Sequence, residues 1–139
     1  MVHTFAILFP CNGGIGHDNS LGWDEETAFL DSDLSGKLVE SWVYHELSSL
    51  ADAEGGYTIS QYRDKNRREV DFVVENEKGD LLGVEVKAGA NVGKDDFKHL
   101  KWFGENLAKV PYTGIVLYTG EYVQRFGEGY YAVPMSCLA

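Results

Sequence analysis

The chain has 139 residues, of which 44% are hydrophobic and 24% charged; this suits one globular domain and argues against both disorder and a multidomain enzyme. Acidic residues outnumber basic ones by 22 to 12, so the formal net charge is -10. That balance excludes indiscriminate attraction to a nucleic-acid backbone. No stretch approaches the roughly 20 apolar residues that cross a bilayer, so we expect no membrane partner.

The charge is unevenly distributed along the chain. Residues 1–36 contain six acids and no Lys or Arg, whereas nine of the twelve bases fall between residues 63 and 101. A site that needs positive charge is therefore expected in that middle segment. Cys11 and Cys137 lie near opposite ends of the chain, without a CxxC or metal-ligand spacing. A domain of this size needs no disulfide, so the cysteines favour a reducing, cytoplasmic location.

The first predicted element is a helix that begins near residue 33. Apolar residues recur there at helical spacing over about five turns, at Val39, Val43, Leu47 and Leu50. Three strand-like runs follow, at 57–63, 69–75 and 81–87. The turn-forming sequence NEKGD separates the last two, which predicts an antiparallel meander.

A second amphipathic helix is predicted at 94–109, before Pro111. Phe97, Leu100, Phe103 and Leu107 occupy its apolar flank. The run TGIVLYT at 113–119 is almost continuously apolar, which is typical of a strand covered on both faces. Short end strands are expected around YVQRF and GYYAV. The whole pattern predicts an α/β fold with a mixed sheet flanked by helices.

Two neighbouring strands carry the residues with the clearest chemical potential. By the period of two, Val70, Phe72 and Val74 share one face of their strand, and Leu82, Val84 and Val86 share one face of the next. The opposite faces then bring together Asp71, Glu85 and Lys87. Pairing Glu75 with Leu81 across the turn places Asp71 directly opposite Glu85, with Cβ atoms roughly 5 Å apart.

Two facing carboxylates resist joint ionisation unless a positive charge lies between them. Hard oxygen ligands suit Mg²⁺ or Mn²⁺, so Asp71 and Glu85 are candidate metal ligands, with Lys87 as a further cation on the same face. Such a site could activate water and offset charge on a phosphate during hydrolysis. The alternative is a solvated strand face with an ordinary lysine–carboxylate pair, which contributes no more than about 1 kcal/mol.

Glu40 is a candidate by an independent argument. It falls inside the apolar stripe of the first helix, within about 20° of Leu47 on a helical projection, and a buried carboxylate needs a partner. Three partners are open: Lys87, a backbone group, or the surroundings of the metal through water.

This ordered set resembles the PD-(D/E)xK nuclease superfamily, with Glu40 on a helix, Val70-Asp71 on one strand and Glu85-Val86-Lys87 on the next. More narrowly, GKLVESWVYHEL, YRDKNRREVDFVVE, GVEVKAG, TGIVLYTG and AVPMSCL look like the uncharacterised domain at the C-terminus of many prokaryotic AAA-type ATPases. The resemblance covers residues 31–139 and leaves a poorly matched segment at 1–30. It implies a restriction-endonuclease-like core in which Asp71 and Glu85 bind a divalent metal. It also implies that Lys87 positions or stabilises the attacking water and that Glu40 assists.

The partner expected from this resemblance is DNA, cleaved with Mg²⁺ or Mn²⁺. Six bases are candidates for contacting its phosphates: Arg63, Arg67, Arg68, Lys94, Lys98 and Lys101. The alternatives are an ordinary charged turn for the arginines and a solvated helix face for the lysines. A second hypothesis is a non-catalytic module that binds nucleic acid or protein and is left from an AAA-type ATPase. An ATPase or protein partner and a homo-oligomer both stay open.

Overall fold

The computed structural model describes residues 32–138, with side chains from residue 36 onward, so the segment predicted at 1–30 lies outside the described residues. Two helices and six strands make up this part of the chain: α1 Ser32–Glu54, β1 Thr58–Arg63, β2 Glu69–Glu75, β3 Leu81–Val86, α2 Lys98–Asn106, β4 Tyr112–Tyr118, β5 Gln124–Gly127 and β6 Tyr130–Pro134. Two 3-10 turns, Lys94–Phe97 and Met135–Leu138, precede α2 and follow β6.

All six strands belong to one mixed sheet with the order β1-β2-β3-β4-β6-β5. The first three strands form the predicted antiparallel meander. Strand β4 then runs parallel to both β3 and β6, and β5 returns antiparallel at the far edge. The predicted α/β class and the mixed sheet are confirmed.

Each face of the sheet is covered by one helix. The α1 face is packed with Val39, Val43, Leu47, Phe72, Val74, Leu82 and Val84, and the α2 face with Val70, Val73, Phe97, Leu100 and Phe103. Strand β4 is buried from Thr113 to Tyr118 because it lies between these two layers, as its continuous apolar run predicted. Within residues 32–138 no helix is both long and apolar enough to cross a membrane.

A β-bulge in β2 corrects the predicted position of Val70. Ser60 pairs with Val73 and Tyr62 pairs with Val70, so Asp71 and Phe72 together oppose the single residue Gln61. The extra residue reverses the alternation of side chains. Val70 therefore packs on the α2 face, and the prediction that it shares a face with Phe72 and Val74 is wrong.

The predicted helix at 94–109 is shorter and begins with a tighter turn. Residues 94–97 form the 3-10 turn, whose start is capped by the Asp96 carboxylate accepting a hydrogen bond from the Gly93 N–H at 2.8 Å. The α-helix ends at Asn106, where the N–H groups of Leu107 and Ala108 both reach the Phe103 carbonyl. Leu107 thus lies beyond the helix and is 43% exposed, so its predicted place on the buried flank is wrong.

The final 3-10 turn contains a buried cysteine. Cys137 is 7% exposed and disulfide-bonded. The expectation of a domain without disulfides is therefore wrong. The cytoplasmic location, which drew on that expectation, stays a prediction.

The turn between β1 and β2 contains a strained arginine. Asp64 Oδ1 accepts hydrogen bonds from the N–H groups of Asn66 and Arg68 at 2.8 and 3.0 Å. This tight loop places Arg67 at a φ of 63°, in the left-handed region that costs a residue with a Cβ about 1 kcal/mol or more.

We expect Arg67→Gly to raise the free energy of unfolding by up to about 1 kcal/mol. Relief of the left-handed strain contributes roughly 1 to 2 kcal/mol, and the greater backbone entropy of glycine in the unfolded chain offsets about 0.5 to 1 kcal/mol of it. Urea denaturation at neutral pH measures the change. Lys65→Gly in the same loop is the matched control, since Lys65 does not have a positive φ, and it should lower stability by about 0.5 to 1 kcal/mol. A loss of stability in Arg67→Gly would show that the arginine side chain makes a net contribution to folding.

Candidate active site

Asp71 lies in the β-bulge of β2, where the pairing with β3 ends. The ladder between these strands runs from Glu75–Leu81 to Phe72–Val84, so continuing it would place Val70 opposite Val86. Instead, Asp71 Oδ2 accepts a hydrogen bond from the Val86 N–H at 2.8 Å. A carboxylate thus occupies the place where a backbone carbonyl would continue the sheet.

Glu85 lies on β3 across from Asp71. The pairing of Phe72 with Val84 is the predicted register. Just beyond the end of this ladder, the Glu85 side chain hydrogen-bonds both the backbone and the side chain of Asp71. Glu85 shares the α2 face of the sheet with Gly83, which is covered by Tyr112 and Leu100. Its Oε1 atom is buried without a hydrogen-bond partner, which is a costly state for an ionised carboxylate.

Burial raises the pKa of both carboxyl groups. Desolvation is the main cause for Asp71, whose pKa rises to about 6 although the Val86 N–H opposes the shift. Desolvation, followed by the negative charge of Asp71, raises the pKa of Glu85 to about 9. The two groups compete for ionisation, so the pair tends to hold one proton or to accept a cation in its place.

Two further acids add to the negative charge of this pair. Glu40, half-buried on α1, raises the pKa of Asp71 through its charge, as does Glu69 at the start of β2. Glu69 has the same effect on Glu85, and it forms an exposed ion pair with Arg63 at 3.1 Å. Glu40 therefore lies close enough to Asp71 for its charge to act on that carboxyl group. Lys87 is not its ion-pair partner.

Lys87 departs from its predicted role as the cation beside the two carboxylates. Its Nζ forms an ion pair with Asp96 Oδ2 at 2.9 Å, and neither Asp71 nor Glu85 lies within ion-pair distance of it. The same Asp96 oxygen caps the 3-10 turn through Gly93, so Lys87 is anchored to the start of α2. The ion pair could not be predicted from the sequence, because an acid three residues after Gly93 indicates a helix cap and not an ion pair with a residue at the end of a distant strand.

The pair of carboxylates fits a hard divalent cation in its chemistry. Both groups supply oxygen donors, and Glu85 Oε1 is a buried oxygen without a partner. Within the described part of the chain, no group of three or more His, Cys, Asp or Glu side chains is arranged to hold a metal. A divalent ion between the two carboxyl groups would have Asp71 and Glu85 as side-chain ligands and would need water or backbone oxygens to complete its coordination.

The predicted phosphate-binding arginines lie on the β1–β2 hairpin, at the end of the sheet that carries Asp71. Arg63 pairs with Glu69, and Arg68 pairs with Asp64 at 3.4 Å while stacking over the Trp102 ring at 4.2 Å. Arg67 is exposed and forms neither an ion pair nor a cation–π contact with any residue that the structure describes. Two of the three arginines thus already have local partners, which leaves Arg67 the most available to a ligand.

The three predicted lysines follow the second helix. Lys94 and Lys98 are exposed, whereas Lys101 is half-buried with its Nζ 5.5 Å from the centre of the Tyr130 ring. Their role in binding phosphate therefore stays a prediction.

An open groove of about 680 Å³ lies between α1 and β1, beside Glu40. Lys37, Ser41, Tyr44 and Gln61 are among its lining residues. Sequence reasoning missed this groove, because the helix and strand residues that form it carry no shared local pattern and meet only in the folded chain.

A family model described as a domain of unknown function, DUF4143, matches residues 35–138, about three quarters of the chain. The chain belongs to the DUF4143 family. DUF4143 domains are commonly found at the C-terminus of AAA-type ATPases, in agreement with the resemblance stated from the sequence. No curated protein and no solved structure matches the chain. The DUF4143 match assigns no activity to the chain.

Proposed function

We propose that this DUF4143 domain is a restriction-endonuclease-like, Mg²⁺-dependent nuclease that hydrolyses DNA phosphodiester bonds in the cytoplasm. The observation that carries the proposal is the juxtaposition of Asp71 and Glu85, with an unpartnered buried oxygen on Glu85 and raised pKa values on both. Such perturbed carboxyl pairs are typical of functional sites. A fold with no use for a cation would be more stable with neutral residues at these positions.

In this proposal Asp71 and Glu85 hold the divalent ion. The ion, when bound, would polarise a phosphate oxygen and lower the pKa of a coordinated water. Asp71 is kept in place by the Val86 N–H, which donates to one of its carboxylate oxygens. Its side chain also hydrogen-bonds that of Glu85, and a divalent ion would replace the proton that the two carboxyl groups share. Glu40 adds a further negative charge next to Asp71 and would orient water or strengthen the attraction for the cation.

Lys87 would stabilise the attacking water or the charge on the phosphate after leaving Asp96. Both side chains of this pair are partly exposed, so the pair is weak, at about 1 kcal/mol or less. A phosphate that reaches the site would offer Lys87 a second negatively charged partner, and the new ion pair would offset the loss of the pair with Asp96. Release of Lys87 from Asp96 is therefore energetically accessible on substrate binding.

The experiment is a nuclease assay on the full chain with plasmid and linear DNA in Mg²⁺ and in Mn²⁺. We expect cleavage that falls at least about 100-fold in Asp71→Asn and in Lys87→Gln, because each removes a group that acts on the charged transition state. Glu75→Gln, an exposed acid at the opposite end of β2, is the matched control and should retain activity. Absence of cleavage with every substrate and metal would overturn the proposal.

A second candidate is a non-catalytic module that binds nucleic acid or a protein such as an ATPase. The ion pair between Lys87 and Asp96, which keeps the lysine from the carboxylates, favours this alternative. Calorimetric titration with Mn²⁺ separates the two: binding that disappears in Glu85→Gln supports the nuclease, whereas no binding at millimolar Mn²⁺ supports the module.

A further inference from the structure

The groove between α1 and β1 is adjacent to the carboxylate pair but is not part of it. Glu40 lines the groove and lies close enough to Asp71 to raise its pKa. Gln61, on the opposite wall, is the β1 residue that faces the bulge containing Asp71. A ligand in the groove would therefore extend to the edge of the proposed metal site.

Three polar side chains on the walls of the groove have no partner in the part of the chain that the structure describes. Lys37, Ser41 and Gln61 form no side-chain hydrogen bond or ion pair with any described residue. They offer an ammonium group, a hydroxyl and an amide to a ligand. This set suits a molecule with both a negative charge and several neutral hydrogen-bonding edges.

An aromatic ring completes the groove. Tyr44 is 51% exposed, yet one side of it is supported by Phe72, with ring centroids 5.8 Å apart. A ring held in this way offers a flat surface at low entropic cost, as nucleobases require. The volume of about 680 Å³ lies within the usual range for small-ligand sites, so one nucleotide fits it comfortably.

We propose that this groove binds one unpaired nucleotide of a nucleic-acid strand, with its base against Tyr44 and its phosphate beside Lys37. The inference rests on the proposed nuclease function and specifies its substrate as single-stranded or locally unpaired. In a duplex the base faces are stacked on their neighbours and unavailable to Tyr44. Gln61 and Ser41 would contact the edges of the base, and the next phosphate along the strand would then reach Asp71.

The test measures the affinity of the protein for a short fluorescein-labelled single-stranded deoxyoligonucleotide by fluorescence anisotropy. EDTA is present so that metal-dependent cleavage cannot interfere. We expect Tyr44→Leu to weaken binding about ten-fold or more, in line with the loss of one base–aromatic stack, and Tyr44→Phe to retain it. Tyr122→Leu is the matched control, because Tyr122 is 72% exposed and does not line the groove. Lys37→Gln should reduce the slope of log affinity against log salt by roughly 0.7.

Equal affinity of the Tyr44→Leu and Tyr122→Leu variants would overturn the inference, as would equal binding of a blunt duplex and the single strand. Thermal melting of each variant identifies any loss of folding, and Tyr44→Phe preserves the packing on Phe72 as a second check. Metal-dependent cleavage without Tyr44-dependent binding would refute the groove site and leave the nuclease intact. Tyr44-dependent binding without cleavage would refute the nuclease and support a binding module that uses the same groove.

Discussion

Glu85→Gln is expected to make the protein more stable at pH 8 while removing its response to Mg²⁺. Burial raises the pKa of Glu85 to about 9 in the folded chain, from an ordinary value of 4.5. Between pH 4.5 and about pH 9, the folded state therefore binds a proton at Glu85 more tightly than the unfolded state does. Stability falls as pH rises through this interval, by at most about 1.4 kcal/mol per pH unit for one proton. Asp71, whose pKa rises from 3.8 to about 6, adds to the decline at the acidic end.

Glutamine keeps the shape of Glu85 but cannot ionise, so the decline in stability between pH 6 and 9 should be much smaller in the variant. Mg²⁺ should stabilise the native protein at pH 8, because it binds the ionised pair in the folded state only, and should not stabilise Glu85→Gln. The measurement is urea denaturation at several pH values with and without Mg²⁺. Glu75→Gln is the control and should follow the native curve. A native pH dependence in Glu85→Gln would contradict the buried, protonated state of Glu85.

Gly83→Ala is expected to lower the free energy of unfolding by about 2 to 3 kcal/mol, because other side chains already fill the space that the new methyl group would occupy. A Cβ at this position would lie 2.5 Å from Tyr112 Oη and 2.9 Å from Leu100 Cδ2. Tyr112 cannot easily move away, since its hydroxyl donates to the Leu100 carbonyl at 2.8 Å. On its other side the ring lies against Gly104, where a Cβ would be 2.6 Å from Tyr112 Cε1.

Gly36→Ala is the matched control for this substitution. Gly36 lies in α1 with open space around its Cα, so alanine should stabilise the protein by about 0.5 to 1 kcal/mol through helix propensity. The double variant Gly83→Ala/Tyr112→Phe should recover part of the lost stability, because the nearest clashing atom is removed. Equal effects of the two glycine substitutions in urea denaturation would refute the packing argument.

Gly83 and Glu85 lie on the same strand, β3, and both contribute to its packing against the α2 side of the sheet. Gly83 lets Tyr112 cover β3 from the α2 side, and Glu85, two residues further along the same face, lies where that cover contributes to its burial. Burial, and after it the charges of Tyr130 and Glu85, raise the pKa of Tyr112. The close packing that stabilises the strand is therefore also what keeps the Glu85 carboxyl from water. A substitution at Glu85 that stabilises the fold would therefore remove a ligand of the proposed metal site.

Much of the fold could be predicted from the sequence because its signals are local. The three strands of the meander, the buried β4 and the first helix follow from hydrophobic periodicity alone. The register between β2 and β3 also followed from the sequence, because the five-residue turn at NEKGD fixes which residues meet. That register placed Asp71 opposite Glu85, and it is the basis of the candidate site.

Other features depend on contacts between distant parts of the chain. The bulge at Asp71 and Phe72 depends on how β1 pairs with β2, so the position of Val70 could not be read from its own strand. Lys87 lies beside Asp96 because the end of β3 and the 3-10 turn that precedes α2 meet in the folded chain. Neither partner carries a sequence signal that would select the other.

The sequence by itself determined the class of fold, the choice of Asp71 and Glu85 as a carboxylate pair on neighbouring strands, and the family of the chain. The tertiary structure decided what surrounds the two carboxylates: burial that raises both pKa values, an aspartate that holds Lys87, and a groove formed by α1 and β1. The physical reason is that periodicity records which side of its own helix or strand a residue occupies. Desolvation and ion pairing depend on which other elements pack against that side, which no single segment contains.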